Sequence, residues 1–288
     1  MLELKLEGAL KEVSDVIHAR IDKLLRINEK TYAPTLVEAM RYSSLVQGKN
    51  IRPFLTIIIS EIFGTKNQYI IDVATAIELI HTYSLIHDDL PAMDDDDYRR
   101  KQLSCHKKYN ESIAILAGDS LLTFAFEILS NIEGHTNPYI KLKIINMIAK
   151  NIGFQGMAGG QMLDLKATSK SNSGDIAKIH LLKTGKLFLS SVEAAAILSN
   201  TPNIQKKYLL LYAKDLGLLF QIKDDILDHI SNSQKHYDPA SIVENIGLEN
   251  AKQQIELIRN QSLSHLNHFG DEVRLLRDLV NFIYYYNN

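Results

Sequence analysis

The sequence has no tryptophan and one cysteine, Cys105. A single thiol excludes an internal disulfide and fits a reducing compartment. No activating pattern surrounds Cys105, so it reads as a small buried apolar residue and not as a nucleophile. Proline and glycine are scarce, at six and fourteen, and mostly punctuate longer segments. Neither sign of charge dominates: 32 basic residues against 34 acidic ones give a net charge of −2, which argues against a nucleic-acid partner bound on a basic face. Apolar runs such as FLTIIISEIFG break off before about 18 residues, so no spanning helix is expected. The opening MLELKLEGALKEVSDV lacks the basic, apolar and small-residue order of a signal peptide. These absences predict a soluble, cytoplasmic chain.

What is present is helical periodicity. Apolar residues recur every three or four positions in VSDVIHARIDKLL, AILAGDSLLTFAFEIL and EVRLLRDLVNFI, and sustained alternation is hard to find. The fold class is all-α, and no linker or repeat interrupts it, so residues 1–288 read as one helical domain. The clearest loops are NIEGHTNP (131–138), KATSKSNSGD (166–175), SNTPN (199–203) and SNSQKHYDPA (231–240). Segments around 71–90, 111–130 and 205–228 are apolar on more than one face, as helices surrounded by other helices are.

Charge is concentrated locally. HTYSLIHDDLPAMDDDDYRR (81–100) places six aspartates, Asp88, Asp89 and Asp94 to Asp97, within ten residues and follows them with Arg99 and Arg100. Like charges so crowded repel, so a positive partner is expected there. A second acidic group lies in GLLFQIKDDILDHI (217–230), where Gln221, Asp224, Asp225 and Asp228 fall at i, i+3, i+4 and i+7 on one helical face. One such stripe is compatible with a solvated surface helix. Two, each on an apolar helix, suggest carboxylates that hold metal inside a bundle. Carboxylates without histidine or cysteine partners select a hard cation, and few ligands suggest Mg²⁺ completed by water and phosphate oxygens. DDLPAMDDDDYR lacks the glycine and terminal glutamate of an EF-hand loop. Polar islands at GKNIRP (48–53) and KTGK (183–186) add Lys49, Arg52, Lys183 and Thr184. None of them forms a P-loop.

The pairing of DDLPAMD with FQIKDDILD, together with GKNIRP, HTYSLIHDD, GGQMLD and KTGKLF in this order, resembles the trans-prenyl diphosphate synthases. Within them it is most similar to the bacterial-type farnesyl diphosphate synthases, over about residues 30 to 260. The resemblance implies a helical bundle around a deep cavity, a homodimer, and condensation of isopentenyl diphosphate with dimethylallyl and then geranyl diphosphate. It implies Mg²⁺, about three ions per site, easing departure of the allylic diphosphate. Matched position by position, Asp88, Asp94 and Asp224 are the metal ligands, while Asp89 and Asp225 are supporting or solvated. Lys49, Arg52, His81 and Arg100 match the isopentenyl diphosphate site. Arg99, Lys183, Thr184 and Gln221 match the allylic diphosphate site, and Gln161 and Asp164 a supporting element. Two residues more than the plain motif separate Asp88 from Asp94, and Pro91 is expected to let that insertion bulge. Tyr83, five positions before Asp88, goes in the family with a fifteen-carbon product, and small Ser84 leaves room for the growing chain.

The sequence departs from the family after Asp228, where HISNSQKHYDP replaces a longer lysine- and glycine-containing segment. About fifteen residues are missing from a region that covers the diphosphates in the family, and Lys235 is the lysine left to serve there. GKN stands for the usual GKR, and RRKQLSCH for an RRGKPTCH-like run. The alternatives are a geranylgeranyl diphosphate synthase, against which Tyr83 argues, a geranyl diphosphate synthase, and a non-catalytic partner subunit, which the two intact aspartate groups oppose. A terpene cyclase would not need Lys49, Arg52 and His81 for a second diphosphate.

Overall fold

In the computed structural model, which describes residues 2–131, 137–231 and 238–286, the apolar spacing becomes helix nearly everywhere. The chain divides into two compact units, Glu7–Ile145 and Asn146–Asn288 with Met1–Leu6. The first holds most of α1 (Leu2–Leu24), then α2 (Pro34–Ser44), α3 (Ile51–Ile62), α4 (Gln68–Asp88), a short hairpin of β1 (Tyr98–Arg99) and β2 (Gln102–Leu103), α5 (Cys105–Lys108) and α6 (Glu111–Ser130). The buried residues Leu6, Leu10, Val13, Ile17 and Ile21 form one stripe along α1, at the spacing that a 3.6-residue turn requires.

Helix α4 has no single wet face. Residues 69 to 80 are buried almost without a break, apart from Ile71, because α3 and α6 pack against it and α2 touches it as well. Asn67 caps it, its side chain accepting from the Ile70 N–H at 3.3 Å. The buried Asp72 takes the Arg20 Nε–H at 2.6 Å, so this interior charge is paired.

The second unit contains the end of α7 (Pro138–Ile152), α8 (Met157–Asp164), α9 (Ser173–His180), a five-residue π turn (Leu181–Gly185), α10 (Lys186–Leu198), α11 (Asn203–Ser231), α12 (Ile242–Ile246), α13 (Leu248–His265) and α14 (Arg274–Tyr285). The long α11 packs against α10, α13 and α14. Its buried Tyr212 donates to the Leu276 carbonyl at 3.2 Å. Asn172 and Asp175 close a capping box at the start of α9.

The hairpin at 98–103 is a small exception to an otherwise helical chain. Two helices, α4 and α6, are long and apolar enough to cross a membrane by length and composition alone. The mixed residues that break their apolar runs are too few to lower the average. The most apolar stretch of α4 is 72% buried in the protein and that of α6 only 39%.

Candidate active site

The acidic turn is built by the end of α4. The helix stops at Asp88, and Pro91 lies beyond that end, in the turn that the inserted residues form. The Met93 N–H donates to the Leu90 carbonyl at 2.8 Å, and the Asp94 N–H reaches back to the Asp88 carbonyl at 2.9 Å. The insertion therefore folds back and brings Asp94 beside Asp88, although six positions separate them.

Asp89 corrects the sequence reading in one respect: it is 2% exposed, so it is not solvated. Its carboxylate receives Arg99, with Nε at 2.8 Å and Nη2 closer still. Burial raises the Asp89 pKa, and Arg99 opposes that shift. Arg99 Nη2 also donates to Asp96 at 3.0 Å, so the arginine expected at the allylic diphosphate is held between two aspartates. Asp97 pairs with Lys107 at 2.7 Å. Asp95, Asp97 and His106 bring ligand-capable atoms within 4.8 Å of one another, a group the sequence reading did not single out.

Lys49, Arg52, His81 and Arg100 also lie in this unit. Arg52 is in the first turn of α3 and His81 near the end of α4. Arg100 occupies the tip of the hairpin with φ of 52° and donates to the Val46 carbonyl at 3.4 Å. Gly48 leaves room for the Arg100 guanidinium where it stands, since a Cβ there would lie 2.5 Å from Nη1 and displace that side chain. Burial, then the charges of Arg52, Arg100 and Arg99, hold the His81 pKa well below its ordinary value. His81 is therefore neutral at pH 7. Three guanidiniums thus act on one imidazole, which is the electrostatics of an anion site.

Tyr83 and Ser84 follow on α4. Burial, then the charge of Asp88, pushes the Tyr83 pKa up to about 12, and its ring meets His87 edge-on at 5.8 Å. Ser84 Oγ donates to the His81 carbonyl at 2.9 Å.

In the second unit the expected residues form one connected chain of hydrogen bonds. Thr184 Oγ1 donates to Gln221 Oε1 at 2.8 Å, and Gln221 Nε2 donates to Asp225 Oδ1 at 3.1 Å. Asp225 Oδ2 accepts the Ile242 N–H at 2.7 Å, tying α11 to the first residue of α12. Asp225 is buried, not solvated, and burial raises its pKa to about 7 against these hydrogen bonds. Lys183 Nζ meets Asp164 Oδ2 at 2.5 Å. Both Lys183 and Thr184 stand on the π turn, a backbone form concentrated at functional sites. Gly160 lets α8 approach that turn: a Cβ there would lie 2.3 Å from the Lys183 nitrogen. Gln161 is buried, and neither of its amide atoms has a hydrogen-bond partner among the described residues. Asp224 adjoins Asp225 on α11, and Lys235 lies outside the described residues.

Sequence reasoning missed His180. Its buried ring donates from Nε2 to the Ala240 carbonyl at 3.1 Å and lies 3.6 Å from Asp225 Oδ2. Nothing in IHLLKTGK distinguishes it from a packing histidine.

An all-helical fold carrying two aspartate groups and two cationic groups defines a class of diphosphate-handling enzymes, and the comparisons agree. The description Polyprenyl synthetase matches residues 33–241. A farnesyl diphosphate synthase of Micrococcus luteus is 42% identical over 228 residues, 76% of this chain and 78% of that protein. A chloroplastic geranylgeranyl pyrophosphate synthase of Capsicum annuum is 38% identical over 87% of this chain and 71% of its own. The crystal structure of a farnesyl/geranylfarnesyl diphosphate (FPP/GFPP) synthase from Zymomonas mobilis superposes with a TM-score of 0.90 at 37% identity, covering 98% of this chain and 99% of that one. The chain belongs to the polyprenyl synthetase family and is a prenyltransferase.

Proposed function

We propose that the chain, as one prenyl synthase domain over residues 1–288, makes farnesyl diphosphate. Isopentenyl diphosphate is joined to dimethylallyl diphosphate and then to geranyl diphosphate. The observation that carries the reading is the return of Asp94 to Asp88 through the 2.9 Å backbone bond, which brings the two residues together across a spacing that a continuous helix would not serve. Tyr83, held beside Asp88, supports the fifteen-carbon product.

The donors Asp88, Asp94 and Asp224 are all carboxylates, which fits Mg²⁺. When bound, the metal ions neutralise charge on the departing diphosphate. Lys183, kept in place by Asp164, and Arg99, kept in place by Asp89 and Asp96, bind the allylic diphosphate. Thr184 is oriented by Gln221, whose own amide is fixed by Asp225. Lys49, Arg52, His81 and Arg100 bind isopentenyl diphosphate, with His81 acting as a neutral hydrogen-bonding group. The allylic C1–O bond breaks, the isopentenyl double bond supplies its electron pair to C1, and the proton lost from C2 goes to the released diphosphate. No side-chain nucleophile takes part. Lys235, the lysine left in the segment after Asp228, is assigned to the diphosphates on the family resemblance alone.

We also place the enzyme in the cytoplasm as a homodimer. The open face of α6, with Ile115 44% and Leu116 54% exposed, supports a second copy as its cover.

The test is incubation with isopentenyl diphosphate and each allylic substrate, with and without Mg²⁺, followed by chromatography of the products. A Mg²⁺-dependent fifteen-carbon product from both allylic substrates supports the reading. A twenty-carbon product would move it to a geranylgeranyl diphosphate synthase, and no product under any condition would overturn it in favour of a non-catalytic subunit.

A further inference from the structure

The reaction as described makes no use of His180, although it is the last residue of α9 and the π turn with Lys183 and Thr184 begins directly after it. The residue is 4% exposed. A carbonyl only accepts, so the 3.1 Å contact with the Ala240 carbonyl places the ring proton on Nε2. Burial lowers the His180 pKa to about 4, and the ring is neutral at pH 7. Its Nδ1 has no hydrogen-bond partner among the described residues.

Ala240 belongs to a short turn, in which Asp238 accepts the Ala240 N–H on Oδ1 at 2.8 Å and the Ser241 N–H on its carbonyl at 3.1 Å. Two residues after Ala240, the Ile242 N–H donates to Asp225 Oδ2 at 2.7 Å. His180 and Asp225 thus grip one three-residue stretch of backbone, the first from α9 and the second from α11. The other oxygen of Asp225 takes Gln221 at 3.1 Å, and Gln221 takes Thr184 at 2.8 Å. These contacts close into a ring that runs Thr184, Gln221, Asp225, Ile242 to Ala240 and His180, and returns to Thr184 along four residues of main chain. Each hydrogen bond in a closed ring finds its partner already in place, and such networks hold more than their separate bonds suggest. Lys183 has its own anchor in Asp164 at 2.5 Å. What the ring adds is the placement of Thr184.

We propose that His180 is a positioning residue for the allylic diphosphate site: by fixing the Ala240 carbonyl it closes the ring that holds the Thr184 hydroxyl where the diphosphate is received. This rests on the assignment of Thr184 to the allylic diphosphate made above. His180 touches no substrate. It acts through the 240–242 backbone and the Asp225–Gln221 pair, so that the hydroxyl is oriented before the substrate arrives.

The experiment is steady-state kinetics of the full chain for His180→Leu, His180→Gln, Thr184→Val and His180→Leu/Thr184→Val, varying geranyl and isopentenyl diphosphate separately. Leucine fills the space and removes the donor, whereas glutamine keeps a donor at the reach of Nε2. His180→Leu is expected to raise KM for geranyl diphosphate roughly fivefold, the effect of losing one neutral hydrogen bond, with less than about a twofold change for isopentenyl diphosphate. His180→Gln should stay within about twofold of the parent chain for both. Added to Thr184→Val, His180→Leu should cost little more, because its target is already gone. Equal rises in both KM values, no rise in either, no recovery with glutamine, or a full multiplicative loss in the double variant would each overturn the inference while the site assignment stands. If Thr184→Val leaves KM for geranyl diphosphate unchanged, the assignment itself fails and the inference goes with it. Ile242→Pro opens the ring without touching the histidine: it removes the N–H that Asp225 accepts, at the first residue of α12, a position where proline is tolerated. It should give the same split between the two substrates, and it decides the matter if His180→Leu does not fold. An unchanged KM for geranyl diphosphate in that variant would refute the ring.

Discussion

At the scale of single residues, burial decides what each ionisable group does. His81 is a histidine on an apolar helix, a pattern that usually means core packing. Burial first, and then the guanidiniums of Arg52, Arg100 and Arg99, neither visible in the sequence, set its pH behaviour. Its folded pKa lies well below the 6.5 of an unperturbed histidine. As pH falls through 6.5, the unfolded chain takes up a proton that the folded chain refuses, and stability drops. His81→Gln should therefore lose less stability between pH 7 and pH 5.5 than the parent chain, as read by denaturant unfolding at both values. A second prediction concerns Ser84, one turn before Asp88. Ser84→Phe should shorten the product from fifteen to ten carbons on chromatography, and an unchanged profile would place the chain pocket elsewhere. For Asp89 and Asp225 the sequence left a supporting and a solvated role open, and their partners, Arg99 in one case and Gln221 with the Ile242 N–H in the other, decide for the first.

At the scale of elements, the hairpin at 98–103 and the π turn at 181–185 carry the site's stored constraints. Lys101 stands at φ of 67° where the family's run has glycine, so the sequence departure noted at RRKQLSCH has a structural cost. Lys101→Gly should stabilise the chain by about 1 kcal/mol, seen as a higher denaturant midpoint with an unchanged slope. Gly160 works in the opposite sense. Gly160→Ala would force a Cβ against the backbone of the π turn, and overpacking of this kind costs about 1 to 3 kcal/mol. Activity should fall further than stability, because the backbone displaced is that of Lys183 and Thr184. A crystal structure of the variant with the turn unmoved would refute that. The helices themselves were legible from their 3.6-residue period. The hairpin was not, because two-residue strands are too short to show alternation.

At the scale of the whole molecule, α6 poses the open question. An apolar helix whose face is largely exposed calls for a cover, and in the proposed dimer a second copy is that cover. Ile115→Glu combined with Leu116→Lys should convert the protein to a monomer in analytical ultracentrifugation while leaving the far-UV helical signal intact. A retained dimer would exclude this face as the interface. The shortened segment after Asp228 bears on the same scale, because a smaller cover admits more water to the cation. Hydrolysis of geranyl diphosphate to free alcohol, measured beside the condensation product, should be detectable as a side reaction.

The sequence by itself determined the helical class, the family, and the residue types of the two proposed diphosphate sites. Periodicity and short motifs are local, and local order survives in a string of letters. Only the tertiary structure decided that Asp94 returns to Asp88, that Asp89 and Asp225 are buried supports, and that Asp164 holds Lys183. Each of these depends on contacts between residues far apart in the chain, or on a turn whose direction is set by what packs around it. The free energy of a charge depends on its surroundings, and those surroundings exist only once the chain has folded.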